Sequence, residues 1–229
     1  MVLKRFLTIS LIVKVLLVFS LQFPKEVGEV KRFDYRVETY RSDVLWIQMP
    51  VFTFDSPYVV DLNEAIRDVV LRMWKSWEKD VVSNIRDGWR DRTSYTLSFQ
   101  IRRIDERIVS MTFEDYAYLG GAHGLGYLRG LNFDLKTGRV LHLEDLFEGD
   151  VDWKSQINEK AKEYFENVKT LKQFKGIKED QDFFMTDWGI IVFFQKYEYT
   201  PYALGYPMVY IPYKSLMGFR KELIPPERR

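Results

Sequence analysis

A chain of 229 residues, 46% hydrophobic and 29% charged, has enough apolar side chain to bury a core, which excludes an intrinsically disordered protein. Its formal charge is only +1, and since Lys4, Arg5 and Lys14 fall in the first twenty residues, the remainder carries −2. A protein living on phosphate contacts would show a basic face, so nucleic acid is not expected as a partner. The absence of cysteine excludes a disulfide framework, a thiolate metal site, a cysteine nucleophile and a lipid-attachment cysteine.

The N-terminus speaks for localisation. Lys4-Arg5 precedes the apolar runs Phe6–Val13 and Val15–Phe19, which are separated by Lys14. A basic start followed by an apolar stretch is the layout of an export signal, with Val18 and Ser20 as the small pair before cleavage. The alternative is an uncleaved anchor over Phe6–Phe23, short for a membrane span and burdened by Lys14, which costs about 2.5–3.5 kcal/mol at the centre of a bilayer. Either reading makes residues 1–23 a signal peptide or membrane anchor. Both place the rest of the chain outside the cytoplasm and leave this segment as its membrane contact.

Beyond residue 24 the pattern is α+β. Lys31–Tyr40 and Val44–Phe54 are rich in β-branched and aromatic residues and read as strands about a turn at Arg41-Ser42-Asp43. Asp61 with Glu64 three residues later reads as a capping box. Ile66, Val70, Met73, Trp77 and Val81 then recur at spacings of three and four, predicting an amphipathic helix to about Ile85. Tyr95, Leu97, Phe99 and Ile101 alternate with polar residues, and after Asp105-Glu106 so do Val109, Met111 and Phe113, a pair of half-buried strands.

Tyr127–Phe133 is a further strand, closed by a hairpin turn at Asp134–Gly138. Asp152 reads as the cap of a second helix with Trp153, Ile157, Ala161, Tyr164 and Val168 along its buried stripe. Phe183–Met185 and Ile190–Phe194 flank a turn at Asp187-Trp188-Gly189, and Met208–Ile211 is the last strand. The expected fold is therefore α+β, with mainly antiparallel sheets, two principal helices and two subdomains, residues 24–91 and 92–229.

Two segments stand out. The first is Tyr118-Leu119-Gly120-Gly121-Ala122-His123-Gly124, where three glycines surround one of only two histidines, the other being His142. The second, Gln195 to Gly205, carries Tyr197, Tyr199 and Tyr202 beside Pro201. One reading makes Tyr118, Gly120, Gly121, His123, Gly124, Tyr197 and Tyr202 a ligand-binding set, with exposed amides and amphipathic rings. The other makes them a tight turn and the rim of a core. No tight histidine pair, serine elbow or phosphate loop accompanies them, so no catalytic residue, metal ligand or cofactor is assigned. The least arbitrary acids for an enzymatic reading centred on His123 are Glu114 and Asp115, which also read as a solvated strand end.

These segments, together with Phe133–Gly138, Leu143–Phe147 and Gly189–Tyr213, resemble the RsiV-type extracytoplasmic domain (DUF3298-like) over roughly residues 115–217. Tyr35–Val82 is similar to the domain that precedes it in PdaC-like deacetylases (DUF4163-like). The resemblance implies a C-terminal half shaped like a small subdomain of the heat-shock-cognate ATPase. It also implies a cell-envelope role, since members include an anti-sigma factor whose outer domain binds lysozyme and a module attached to a peptidoglycan deacetylase. Only Met1–Arg5 precede the apolar run, and no metal-binding catalytic domain is recognisable before Arg229. The expectation is thus the outer module alone: a non-catalytic binder of peptidoglycan-type glycan or of an envelope protein such as lysozyme. The alternatives are a glycan hydrolase or deacetylase-type enzyme centred on His123, and a structural envelope protein without a ligand.

Overall fold

The computed structural model describes residues 34–228. The expected signal or anchor at residues 1–23 lies outside them. Among the described residues no helix is long and apolar enough to cross a membrane.

Six strands form one sheet in the order of the chain: β1 (Tyr35–Arg41), β2 (Leu45–Phe52), β3 (Ser94–Ile104), β4 (Ile108–Tyr118), β5 (Leu128–Asp134) and β6 (Arg139–Val140). Every pairing is antiparallel except β2 with β3, which run parallel because helix α1 (Val59–Arg86) crosses between them. The sheet therefore runs unbroken past residue 92. A second, three-stranded antiparallel sheet holds β7 (Phe183–Met185), β8 (Gly189–Phe193) and β9 (Met208–Pro212). Helix α2 (Trp153–Glu166) packs against β9.

The α1 stripe is as its spacing predicts: Ile66, Val70, Met73, Trp77 and Val81 are buried, joined by Leu62, Val69 and Trp74. The start of α1 departs from expectation. The helix begins at Val59, Tyr58 occupies the cap without a side-chain bond, and Asp61 lies inside the first turn. Asn63 explains the displacement, because its side chain both accepts from Phe52 N–H and donates to Phe52 C=O, pinning the helix entry to β2. Asp152 caps α2 as predicted, accepting from Ser155 N–H at 3.0 Å, whereas Val168 falls past the helix end.

Strand β4 is buried on both faces from Ile108 to Phe113 rather than half-buried. One face meets α1, where Trp74 packs edge-on to Tyr95 of neighbouring β3 at 5.0 Å. The other meets β7: the Ser110 hydroxyl accepts from Met185 N–H, and the Asn132 amide donates to Phe183 C=O. Beneath the second sheet lies an apolar core of Ile157, Phe165, Ile190, Phe194, Val209 and Ile211. Buried Arg103 locks the C-terminal segment onto β3, bonding Asp105, the Tyr213 hydroxyl and Leu223 C=O.

Candidate functional site

The end of β4 and the loop after β8 come together. Gly120 and Gly121 have φ of +88° and +109°, a region that side-chain-bearing residues rarely adopt, and so they turn the chain sharply after Tyr118. Gly124 is needed for a different reason: a Cβ there would lie 2.3 Å from Ala117 C=O. The loop is then tied back to its own strand. The Tyr118 hydroxyl donates to Gly121 C=O at 3.0 Å, and Gly124 N–H donates to the Tyr116 hydroxyl at 2.7 Å.

This geometry presents His123 at the surface. Its Nδ1 lies 2.9 Å from Gly124 C=O, and a carbonyl only accepts, so Nδ1 carries the proton. Nε2 is then an acceptor and lies 3.4 Å from the Tyr197 hydroxyl, which donates to it. The imidazole stacks on Tyr202 with ring centres 4.6 Å apart and an interplanar angle of 22°, and more loosely on Tyr197 at 6.5 Å. Tyr197 and Tyr202 are themselves 5.5 Å apart. All seven residues singled out from the sequence thus lie in or against one cluster of two loops.

Sequence reasoning gave no role to Lys196 or Tyr116, and noted Tyr206 only as one of the tyrosines crowding the second loop. The Lys196 ammonium sits 4.3 Å from the Tyr206 ring centre and 5.3 Å from that of Tyr202, and pairs with Glu114 at 3.3 Å. Tyr206 is packed so that burial, with Glu114 nearby, raises its phenol above the usual range. Tyr116 anchors the loop. The available signal was strand parity, which places Glu114 and Tyr116 on one face. Tyr197 is the one described non-glycine residue with positive φ, at +64°.

The two acids considered for catalysis point apart. Glu114 is exposed and ion-paired with Lys196. Asp115 is 1% exposed, so the solvated reading fails for it. Its carboxylate accepts from Tyr127 N–H at 2.7 Å and from the Tyr95 hydroxyl at 3.2 Å. Burial pushes its pKa up to about 6 against these bonds and against the nearby Trp77 indole, whose N–H is buried without a well-formed hydrogen bond. Neither acid bonds to a nitrogen of His123.

His142 lies elsewhere. It lines a cavity of about 470 Å³ between α1 and residues 179–183, with Asp68 and Arg72 from the helix and Asp182, whose carboxyl burial raises above its ordinary value. Among the described residues no group of three or more histidine and acidic side chains is placed to hold a metal ion.

Residues 144–214 match the family model DUF3298, described as a protein of unknown function. Over 205 residues the chain is 21% identical to the peptidoglycan-N-acetylmuramic acid deacetylase PdaC of Bacillus subtilis, a match that covers 86% of this chain and 41% of that protein. The chain therefore spans less than half the length of this curated relative. Its fold is similar to the crystal structure of a DUF3298 family protein from Pseudomonas aeruginosa, with a TM-score of 0.60 and 17% identity over 84% of this chain and 96% of the other. It is also similar to a DUF3298 family member from Bacteroides fragilis, with a TM-score of 0.56 and 18% identity over 83% and 93%. At such identities the structural likeness speaks for the fold alone. Residues 144–214 thus carry a DUF3298 match, within an α+β fold similar to that of solved DUF3298 structures.

Proposed function

We propose that the chain is a non-catalytic binding module of the cell envelope, exported or anchored by residues 1–23, that holds a wall glycan against the rings of His123, Tyr197 and Tyr202. The observation that carries this reading is the surface cluster of three rings, with His123 stacked on Tyr202 at 4.6 Å and Tyr197 tilted beside them. Each ring offers an apolar face and a polar edge, the pairing that a sugar ring with its C–H face and hydroxyl rim requires. Tyr197 supports it further. A non-glycine residue in the left-handed region costs of order 1–3 kcal/mol, and such strain gathers where a side chain must be presented rather than packed. Here the strained residue leaves its ring 49% exposed.

The arrangement around His123 favours binding over catalysis. A general base needs an orienting acceptor on one nitrogen and an open approach to the other. Here Nδ1 donates to a backbone carbonyl while the Tyr197 hydroxyl occupies Nε2. The likeness to a peptidoglycan deacetylase supports a wall glycan as the ligand class, and the RsiV-type resemblance supports a place outside the cytoplasm.

The test is calorimetric titration with glycan fragments from digested peptidoglycan, with lysozyme as a parallel arm. Tyr202→Ala removes one stacking face, worth about 0.5–1.5 kcal/mol, and should weaken glycan binding by roughly two- to tenfold. Tight binding to lysozyme with none to glycan would move the function to a protein partner.

A further inference from the structure

The described strands cover only half of the sheet face opposite α1. Around Arg102, Thr112 and Asn132 it is closed by β7, with the Arg102 guanidinium 4.7 Å from the Phe184 ring centre and Asn132 bonded to Phe183 C=O. Toward the glycine loop none of the described strands overlies it. There Trp46, Thr96 and Tyr116 are direct partners across β2, β3 and β4, so their side chains form one row on the same face. Ser94 and Ser98 flank Thr96 on that face, next to Tyr118 and Glu114.

The composition of this strip indicates what it fits. Among the described residues the hydroxyls of Ser94, Thr96 and Ser98 have no side-chain hydrogen bond, and the Trp46 ring, 39% exposed, packs on no other aromatic ring. The strip's charges are the Glu114–Lys196 pair, which cancels, with Arg41 beyond Trp46 at the sheet edge. Unpaired hydroxyls and a bare indole, with Arg41 at the edge as the one uncompensated charge, complement an uncharged polyhydroxylated chain and offer too little positive charge to hold a polyanion or an anionic lipid surface. The strip is continuous with the aromatic cluster, since Tyr116 in its row holds Gly124 N–H. From Tyr116 to Trp46 it crosses two strand spacings, about 10 Å, farther than one sugar ring reaches.

We infer that this strip extends the glycan site: successive sugars of one chain lie across β4, β3 and β2, from the His123–Tyr202 cluster to a terminal stacking platform at Trp46. This rests on the glycan reading given above and adds to it a preference for chains of several sugars.

The experiment compares a disaccharide and a hexasaccharide of β-1,4-linked N-acetylglucosamine against the wild type, Trp46→Ala and Tyr202→Ala, with a thermal melt of each variant to confirm folding. The wild type should bind the hexasaccharide at least tenfold more tightly than the disaccharide. Trp46→Ala should lose that gain while keeping the disaccharide affinity, and Tyr202→Ala should weaken both. Trp46→Ala binding the hexasaccharide like the wild type would overturn the extension and leave the aromatic site standing. A wild type that binds neither oligosaccharide would sink both.

Discussion

Asp115 and Glu114 are neighbours on β4, and the pleat alone sends them to opposite fates. Glu114 faces solvent and Lys196, whereas Asp115 enters the apolar layer beneath α1 and keeps two good hydrogen bonds there. Burial still dominates and lifts its pKa from 3.8 to about 6. The sign of the consequence follows from linkage. Between about pH 4 and pH 6 the unfolded carboxyl has released its proton while the folded one retains it, so this residue's contribution to stability falls as pH rises. The full swing is on the order of 3 kcal/mol. Asp115→Asn should remove it, so the stability difference between wild type and variant, from urea unfolding at pH 4 and pH 7, should change by a few kcal/mol. A difference independent of pH would show that the carboxyl is not desolvated as described. From the sequence these acids were a plausible pair, and only their opposite facing separates them.

At the scale of elements, periodicity carried most of the information. The spacing of Ile66, Val70, Met73, Trp77 and Val81 determines which face of α1 is buried, because only a 3.6-residue period brings them together. Trp77 is 8% exposed and rests on the Tyr127 ring at 5.7 Å. Trp77→Ala should cost about 3–5 kcal/mol, a fall of roughly 10 °C in melting temperature for a chain this size. A shift under about 2 °C would mean that the helix face carries little of the core's stability. Where local rules misled, a tertiary contact had intervened. Asp61 and Glu64 have the spacing of a capping box, but Asn63 bonds to β2 and the helix starts earlier. Strand β4 alternates in sequence like a half-buried strand, yet Ser110 and Thr112 are buried because β7, some seventy residues later, closes over them. No local pattern near β4 announces that cover.

For the whole molecule, the relevant event is the meeting of two loops. The glycine-histidine loop and the tyrosine loop were both conspicuous in sequence, and their contact arises because β5 and the second sheet bring residues 195–205 back beside the end of β4. The Gln195 side chain makes that junction directly, accepting from Leu128 N–H and donating to Leu128 C=O. Lys196, Tyr116 and the strip leading to Trp46 were illegible beforehand, since their importance comes only from facing the same side as the loops. The central claim, that this shared surface is where a wall glycan binds, is tested most directly by mapping backbone amide shifts in a ¹⁵N-labelled protein during titration with peptidoglycan-derived oligosaccharides. Saturable shifts should concentrate at residues 118–124 and 195–206, extending to Trp46 and Thr96 with longer chains. Shifts confined to the cavity lined by Asp68, Arg72 and His142, or none at saturating ligand, would contradict it.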